Sequence, residues 1–288
     1  MTVKFITTTI LSLSLIGLAG CQAKNSETPA TKAEVEAPMA APVTLESAVN
    51  DSARAADSAR DKFRNPKETL EFFGVAPGKH VVEIWPGWYT EILAPYLAAN
   101  GGTYTAVLSP ESERSTPRNL AYKEKFGDAA RYGEIQYGAF GKDYTPMMPA
   151  ESADIILSFR NVHNWMGGGY EAQAFKEFYA ALKPGGTLGI VEHRLPESAL
   201  QNPLGRTGYV QESYMKTLAE EAGFEFVEAS EINANPRDTA DHPFGVWTLP
   251  PRSRTPEAGS PEAAEFDAEL YKGIGESDRA TLKFRKPE

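Results

Sequence analysis

Residues 81–93, which read VVEIWPGWYTEIL, decide the fold. β-Branched and apolar side chains open the stretch, as in a buried parallel strand, and Pro86-Gly87 ends it because a strand interior does not tolerate this pair. Beyond the turn, apolar side chains recur at helical spacing, at Ile92, Leu93, Tyr96 and Leu97. The stretch therefore predicts a strand, a tight turn and a helix. A glycine and free N–H groups at such a helix start are suited to a nucleotide-like ligand.

The same alternation continues along the chain. Further strands are predicted at residues 103–108, 135–137, 153–159, 187–191, 224–229 and 280–284, with helices near 118–126, 170–182 and 209–222. This order predicts an α/β fold, a doubly wound and mostly parallel Rossmann-like sheet of seven strands. N-terminal helices precede the sheet: one over residues 45–64 with a mostly polar surface, and a short one that begins at Asn65-Pro66. Residues 233–276 predict a loop-rich C-terminal insertion.

Charge and composition limit the function classes. The 288 residues carry a net charge of −10 and have a pI near 5.1, which argues against an electrostatic grip on nucleic acid or on an anionic membrane. The chain is 41% hydrophobic and 24% charged, which is ordinary for a soluble globular protein. We therefore expect a small-molecule substrate. The sequence does not determine the oligomeric state.

The N-terminus is predicted to be a targeting segment. Lys4 precedes an apolar run that ends in Leu18-Ala19-Gly20-Cys21, and this string looks like a bacterial lipobox. We expect a signal peptide over residues 1–20, lipid on Cys21, a flexible tether over residues 21–44 and a domain over residues 45–288. The protein would then be exported and lipid-anchored, facing the periplasm and held by the outer membrane. An uncleaved anchor or a buried thiol is the alternative.

Seven short stretches carry a family resemblance. They are residues 82–87 (VEIWPG), 159–165 (FRNVHNW), 182–186 (LKPGG), 191–194 (VEHR), 235–238 (NPRD), 245–251 (GVWTLPP) and 276–279 (ESDR). Together they resemble class I S-adenosylmethionine-dependent methyltransferases, and among these a family of exported bacterial predicted methyltransferases. The resemblance covers residues 50–286 and implies S-adenosyl-L-methionine as the cofactor.

The resemblance implies that the cofactor's amino-acid end lies at the first strand. Glu83 would hold the ammonium group, with Trp85 and Gly87 in the turn beneath it. Trp88, Tyr89 or Trp165 could hold the sulfonium by cation–π contact. Relatives carry a run of glycines where Gly87 is followed directly by Trp88. The shorter loop either closes the pocket or reshapes it, and a plain turn without a ligand is the alternative.

The adenosine end is implied farther along the same edge. Glu111 follows the second strand, displaced behind Pro110, and is expected to bond the ribose or else to cap a helix. Gly138, Ala139 and Phe140 follow the third strand, where an adenine-contacting segment would lie. Phe140 suits the hydrophobic core equally well.

Polar and aromatic side chains follow the fourth and fifth strands. Asn161, His163 and Trp165 come after the fourth strand, and His193 ends the fifth. Carboxyl ends of parallel strands meet ligands where the winding of the sheet reverses. Asn161 is therefore predicted to contact cofactor and acceptor, and neutral His163, with His193, to take a proton from the acceptor. A structural histidine is the alternative.

Methyl transfer to an unknown small-molecule or envelope acceptor is the leading prediction, and two alternatives stay open. A divalent metal could be ligated by His163, Glu192, His193, Asp241 and His242, although no tight H-E-x-x-H spacing is present. The chain could also be a catalytically silent lipoprotein that binds a small ligand or an envelope partner. Location favours that alternative, because the cofactor is made in the cytoplasm and the lipobox predicts export.

Overall fold

A computed structural model describes residues 43–288, and within them the chain forms a seven-stranded mixed sheet. The strands are β1 His80–Ile84, β2 Thr103–Leu108, β3 Gln136–Ala139, β4 Ala153–Phe159, β5 Leu182–His193, β6 Glu225–Ser230 and β7 Arg279–Arg285. Their order across the sheet is β3-β2-β1-β4-β5-β7-β6. Strands β1 to β5 are parallel to one another, whereas β7 runs antiparallel to both β5 and β6. The α/β class agrees with the prediction, and the antiparallel β7 makes the sheet mixed.

Helices cover both faces of the sheet. They are α1 Leu45–Val49, α2 Asp61–Arg64, α3 Pro66–Phe72, α4 Thr90–Ala99, α5 Thr116–Lys125, α6 Ala129–Tyr132, α7 Val162–Gly168, α8 Glu171–Ala181, α9 Glu212–Ala222, α10 Pro261–Glu265 and α11 Ala268–Ile274. Alternate side chains of β1 enter opposite cores, because successive residues of a strand face opposite ways. Val82 packs in one cluster with Trp165 and Phe178, and Val81 packs in the other with Ile92 and Leu93.

The N-terminal segment differs from its prediction. Residues 45–64 do not form one polar helix; they form α1, two 3-10 turns and α2. Arg54, expected on a polar surface, is buried, and so is Arg64. Arg54 pairs with Asp61 at 2.9 Å, and Arg64 pairs with Glu276 at 3.3 Å. Glu276 is distant in sequence, so no local pattern could indicate that Arg64 points inward.

Residues 183–186, which separate the helix predicted to end at residue 182 from the strand predicted to begin at residue 187, lie inside β5. Ala153 of β4 pairs with Leu182, and Ile155 pairs with Thr187. Between these two pairs β4 moves on by two residues and β5 by five. The three extra residues form a bulge in β5. Gly185 has a φ of +74°, which glycine adopts without strain.

The signal peptide, the lipid site at Cys21 and all but the last two residues of the tether lie outside the described residues. These three assignments remain predictions. The described part of the tether ends in Thr44, whose side chain caps α1. Within residues 43–288, no helix has both the length and the apolar character needed to cross a bilayer.

Candidate active site at the carboxyl edge of the sheet

Glu83 lies buried in β1, and protein groups engage its carboxylate. The Tyr104 hydroxyl donates to it at 2.6 Å, the Thr90 hydroxyl at 3.4 Å and the Gly87 N–H at 3.3 Å. Burial raises the pKa of Glu83 to about 7, because these hydrogen bonds only partly offset the loss of water. Among residues 43–288, no cationic side chain forms an ion pair with it. Because no cation pairs with it, the ionised form of Glu83 suits a cationic ligand.

Trp85, the first residue of the turn after β1, packs against the hydrophobic core. Trp85 has a φ of +49°, and its indole N–H donates to the Phe140 carbonyl at 3.0 Å. Its ring lies 6.1 Å from that of Trp165 and 6.3 Å from that of Phe140. Trp85 therefore packs as part of the core rather than as the floor of an open cofactor pocket.

Trp88 and Tyr89, expected to hold a sulfonium, are used inside the protein. Tyr89 is buried and stacks on Phe159 at 3.7 Å. Trp88 lies edge-on to Tyr89, and the guanidinium groups of Arg54 and Arg64 lie over its ring at 5.0 and 4.6 Å. Trp88 therefore makes its cation–π contacts with two buried arginines of the N-terminal segment. Trp165, the third candidate ring, is fully buried.

A cavity of about 620 Å³ lies at the carboxyl ends of β2 and β3. Glu111, Gly138 and Ala139, all predicted at the adenosine end, line it together with Asn119. Phe140 does not: it is fully buried against Trp165 and Phe178, so its core alternative applies. Neither Glu83 nor Gly87 lines this cavity. The volume of this cavity is large enough for an adenosine group, but Glu83, predicted at the methionine end, does not border it.

His163 is held by a buried carboxylate that the sequence offered only as a metal ligand. Its Nδ1 atom lies 3.1 Å from Oε1 of Glu192. The other Glu192 oxygen accepts from the backbone N–H groups of Val162, at 2.6 Å, and of His163, at 3.4 Å. A carboxylate can only accept, so we assign the proton to Nδ1, which leaves Nε2 as an acceptor. This is the tautomer that a general base needs.

His193 lies next to His163, with 5.5 Å between the ring centres. Its Nδ1 atom is hydrogen-bonded to the hydroxyl of Ser277, a residue that the sequence did not single out for chemistry. Burial lowers the pKa of His193 well below its usual value, and His163 and Arg279 lower it further. His193 is therefore neutral at pH 7. The two histidines do share one cleft, as the sequence predicted.

Asn161 has a different place from the two histidines. Its amide donates to the Ile84 carbonyl at 3.0 Å and so ties the end of β1 to the end of β4. Its side chain is buried and does not line the cleft that holds the histidines. Its predicted contacts with cofactor and acceptor stay predictions.

The histidines line a cavity of about 300 Å³ whose wall is rich in arginine. We call it the arginine cleft; it is lined by Arg60, Arg64, Arg160, His163, His193, Val246, Trp247, Leu249, Pro250, Pro251, Arg252 and Arg279. The sequence did not predict it. Its arginines come from four distant segments, and the available signal was only that Arg160 and Arg279 stand within the recognised motifs.

The five-residue metal cluster is not assembled. The ligand atoms of His163, Glu192 and His193 all lie within 4.8 Å of one another. Asp241 and His242 belong elsewhere: His242 Nε2 bonds Asp238 at 2.8 Å, and Asp241 accepts from a threonine. The three remaining groups fit a cation poorly. Backbone N–H groups and His163 already occupy the Glu192 oxygens, and the arginines of the cleft repel a positive charge.

No protein-family model matches the chain. Among solved structures, it is similar to the 4+2 cyclase SpnF, with 18% identity and a TM-score of 0.49 over 78% of this chain and 80% of that one. A SAM-dependent methyltransferase from Aquifex aeolicus gives 18% and 0.47 over 64% and 93%. The arsenic(III) S-adenosylmethionine methyltransferase of Chlamydomonas reinhardtii gives 20% and 0.45 over 86% and 75%. Likeness at this level carries no argument about the reaction.

Proposed function

We propose that the chain is a class I S-adenosylmethionine-dependent methyltransferase that acts on a small-molecule or envelope acceptor. One observation carries the proposal: the cavity lined by Glu111, Gly138 and Ala139 opens at the carboxyl ends of β2 and β3. Sheets of this winding bind nucleotide-like ligands at that edge, beside the reversal of strand order between β1 and β4. The bound cofactor would supply a methyl group on a sulfonium.

The residues of the chain fit one end of that cofactor and not the other. Glu111 could accept from ribose hydroxyls, and Gly138, which has no side chain, and Ala139, which has a small one, present little bulk to a flat base. Beside Glu83, the Tyr104 and Thr90 hydroxyls fill the space that the ammonium group would need. The methionine end can therefore reach Glu83 only if these hydroxyls give up their hydrogen bonds and the turn over residues 85–89, whose Gly87 N–H also bonds Glu83, shifts.

The histidines of the arginine cleft can serve in proton transfer. His163 Nε2 is free to take a proton from an acceptor, and Glu192 would stabilise the imidazolium that forms. Neutral His193 borders the same cavity, and its Nε2 atom, the ring nitrogen that is not bonded to Ser277, can take part in a second hydrogen bond. Burial of these groups strengthens each electrostatic contact, since little water screens them.

Calorimetry with S-adenosylhomocysteine and adenosine tests the proposal. We expect S-adenosylhomocysteine to bind with about micromolar affinity and to bind at least about tenfold more tightly than adenosine, because its amino-acid end adds charged contacts. Glu111→Gln should weaken both ligands. Glu113→Gln, which removes the same charge from an exposed residue outside the cavity, should weaken neither.

A second candidate is a protein that binds a small ligand on this fold without methyl transfer. The filled space beside Glu83 favours it specifically. The same titration separates the two candidates. Equal affinity for adenosine and S-adenosylhomocysteine would mean that the methionine end stays outside, and would favour the second candidate. Absence of binding by either ligand, with the fold retained, would contradict the first.

A further inference from the structure

The arginine cleft holds more positive charge than the protein neutralises. Five guanidinium groups line it, those of Arg60, Arg64, Arg160, Arg252 and Arg279. In the described part of the chain, Glu276 is the only carboxylate that pairs with any of them. It pairs with Arg60 at 2.6 Å, with Arg64 at 3.3 Å and with Arg279. Five cations and one anion leave an excess of four positive charges around one cavity.

Several of these groups also lack hydrogen-bond partners. Within residues 43–288, Arg64 Nη1 and Arg279 Nε are buried without any partner. The Arg160 guanidinium forms neither a hydrogen bond nor an ion pair with a described residue, although it borders the cleft. Unsatisfied buried donors of a charged group are costly and rare in proteins. The Arg160 guanidinium borders the cleft without a described partner, so its donors are available to an acceptor from outside the chain.

The backbone holds Arg160 at this position against a conformational preference. Its φ is +62°, in the left-handed region, directly after β4. Such a conformation is uncommon for a residue with a side chain and tends to occur at functional sites. The Arg160 N–H donates to the Val191 carbonyl at 2.7 Å, so the strained residue is fixed between β4 and β5.

The surroundings lower the pKa values of two arginines in the cleft. Burial lowers the pKa of Arg160 to about 9, and repulsion from Arg64 and Arg279 adds to the effect. Burial likewise lowers the pKa of Arg64 to about 10, although Glu276 opposes it. The protein thus leaves these charges incompletely compensated. An anion in the cleft would offset both the cost of burying these charges and the repulsion between them.

We propose that the arginine cleft binds an oxyanion group, a phosphate or a carboxylate, carried by the molecule on which the site acts. Guanidinium groups bind such oxygens in pairs, with a geometry that matches their planar donors. The volume of about 300 Å³ suits a small molecule. Because His163 and His193 line the same cavity, the bound anion would hold the reacting part of the ligand next to the predicted base.

This inference deepens the proposed function by naming the charge of the acceptor, and it rests on that function only for the reaction. Anion binding itself requires no cofactor. The two proposals can therefore fail separately. If the protein binds phosphate but does not bind S-adenosylhomocysteine, the anion site is supported and the methyltransferase proposal is contradicted.

The test is calorimetric titration of the protein with inorganic phosphate and, separately, with acetate, at constant ionic strength set with chloride. We expect at least one oxyanion to bind and Arg160→Gln to weaken it by at least about tenfold, the loss expected for charged hydrogen bonds. Arg252→Gln, at the exposed mouth of the cleft, should weaken it less. Arg118→Gln removes the same charge from an exposed position of α5 and should leave affinity unchanged.

The preferred probe distinguishes the source of the anion: tighter phosphate indicates a phosphorylated ligand, and tighter acetate a carboxylic acid. Two results would overturn the inference. One is no binding of either ion by the native chain. The other is equal loss of affinity in the Arg160→Gln and Arg118→Gln variants, which would mean attraction by overall charge. If Arg160→Gln does not fold, Arg252→Gln against Arg118→Gln decides in the same way.

Discussion

The Nδ1 atom of His163 lies 3.1 Å from Oε1 of Glu192, and both side chains are buried. His163 belongs to α7, which follows β4, whereas Glu192 lies near the end of β5. The contact therefore joins the carboxyl ends of two neighbouring strands. It fixes the ring so that its other nitrogen is left for a ligand.

Glu192→Gln should destabilise the fold as well as the site. An amide has one accepting oxygen, so it cannot serve Val162, His163 and His193 at once, and its own N–H groups would face donors. We expect the free energy of unfolding, measured with urea, to fall by about 1–3 kcal/mol. Glu228→Gln on β6, where the side chain is exposed, should change it by less than about 0.5 kcal/mol. Equal stability of the two variants would contradict the role given to Glu192.

Glu83 should make stability depend on pH between about 4.5 and 7. Burial raises the pKa of Glu83 to about 7 from 4.5. The folded chain thus holds this proton more tightly than the unfolded chain does, so the contribution is fully present below pH 4.5 and is lost as the pH rises through 7. Relative to Glu83→Gln, the native chain should lose on the order of 3 kcal/mol across this window.

Urea unfolding at a series of pH values measures the effect of Glu83. The matched control is Glu134→Gln, an exposed residue, whose curve should run parallel to that of the native chain. A parallel curve for Glu83→Gln would show that Glu83 does not titrate as its burial requires.

Glu276 should be the carboxylate that holds the arginine cleft together. Burial by itself raises the pKa of Glu276, but Arg279, Arg64 and Arg60 outweigh it and bring the pKa to about 2. Its stabilisation is therefore present above pH 4.5 and is lost as the pH falls towards 2. At pH 7, Glu276→Gln should lower the free energy of unfolding by about 3–5 kcal/mol, because it leaves buried cations unpaired.

If the cleft binds oxyanions, added phosphate should recover more stability in Glu276→Gln than in the native chain. Glu269→Gln removes an exposed carboxylate of α11 and serves as the control, with little loss and no extra recovery. Recovery of the same size in both variants would show that phosphate does not stabilise the protein by binding in the cleft.

The lipobox makes a prediction about location. We propose that Cys21 carries the lipid that anchors the chain in the cell envelope, facing the periplasm. Cys21→Ser should then move the protein from the membrane fraction to the soluble periplasmic fraction, as followed by fractionation and immunoblotting. Ser26→Ala, a few residues along the predicted tether, should stay with the membrane. Unchanged fractionation of Cys21→Ser would contradict the lipoprotein assignment.

Where the signal was local, the sequence predicted the fold well. β2 and β4 have the predicted bounds because each is a continuous run of apolar and β-branched residues buried in the sheet. The direction of β7 could not be read in this way. Antiparallel pairing with β5 depends on the path of the chain through residues 231–278, and the pattern of β7 itself is the same in either direction.

The site was predictable only in part, for a related reason. His163 and His193 could be placed together because both follow neighbouring strands of a recognisable sheet. The arginine cleft could not, since Arg60 and Arg64 reach it from the N-terminal segment and Arg279 from the last strand. The short loop after Gly87 raised the expectation of a closed or reshaped pocket, but the occupied space beside Glu83 was not predictable in detail. It depends on the Tyr104 hydroxyl and on the path of the turn at Trp85, and neither leaves a periodic signal.

A crystal structure of the protein with S-adenosylhomocysteine tests the central claim most directly. We predict that the adenosine lies at the carboxyl ends of β2 and β3, between Glu111 and Ala139, and that the turn over residues 85–89 has moved to admit the amino-acid end. A cavity left empty at saturating ligand, or a ligand bound elsewhere on the molecule, would contradict the claim.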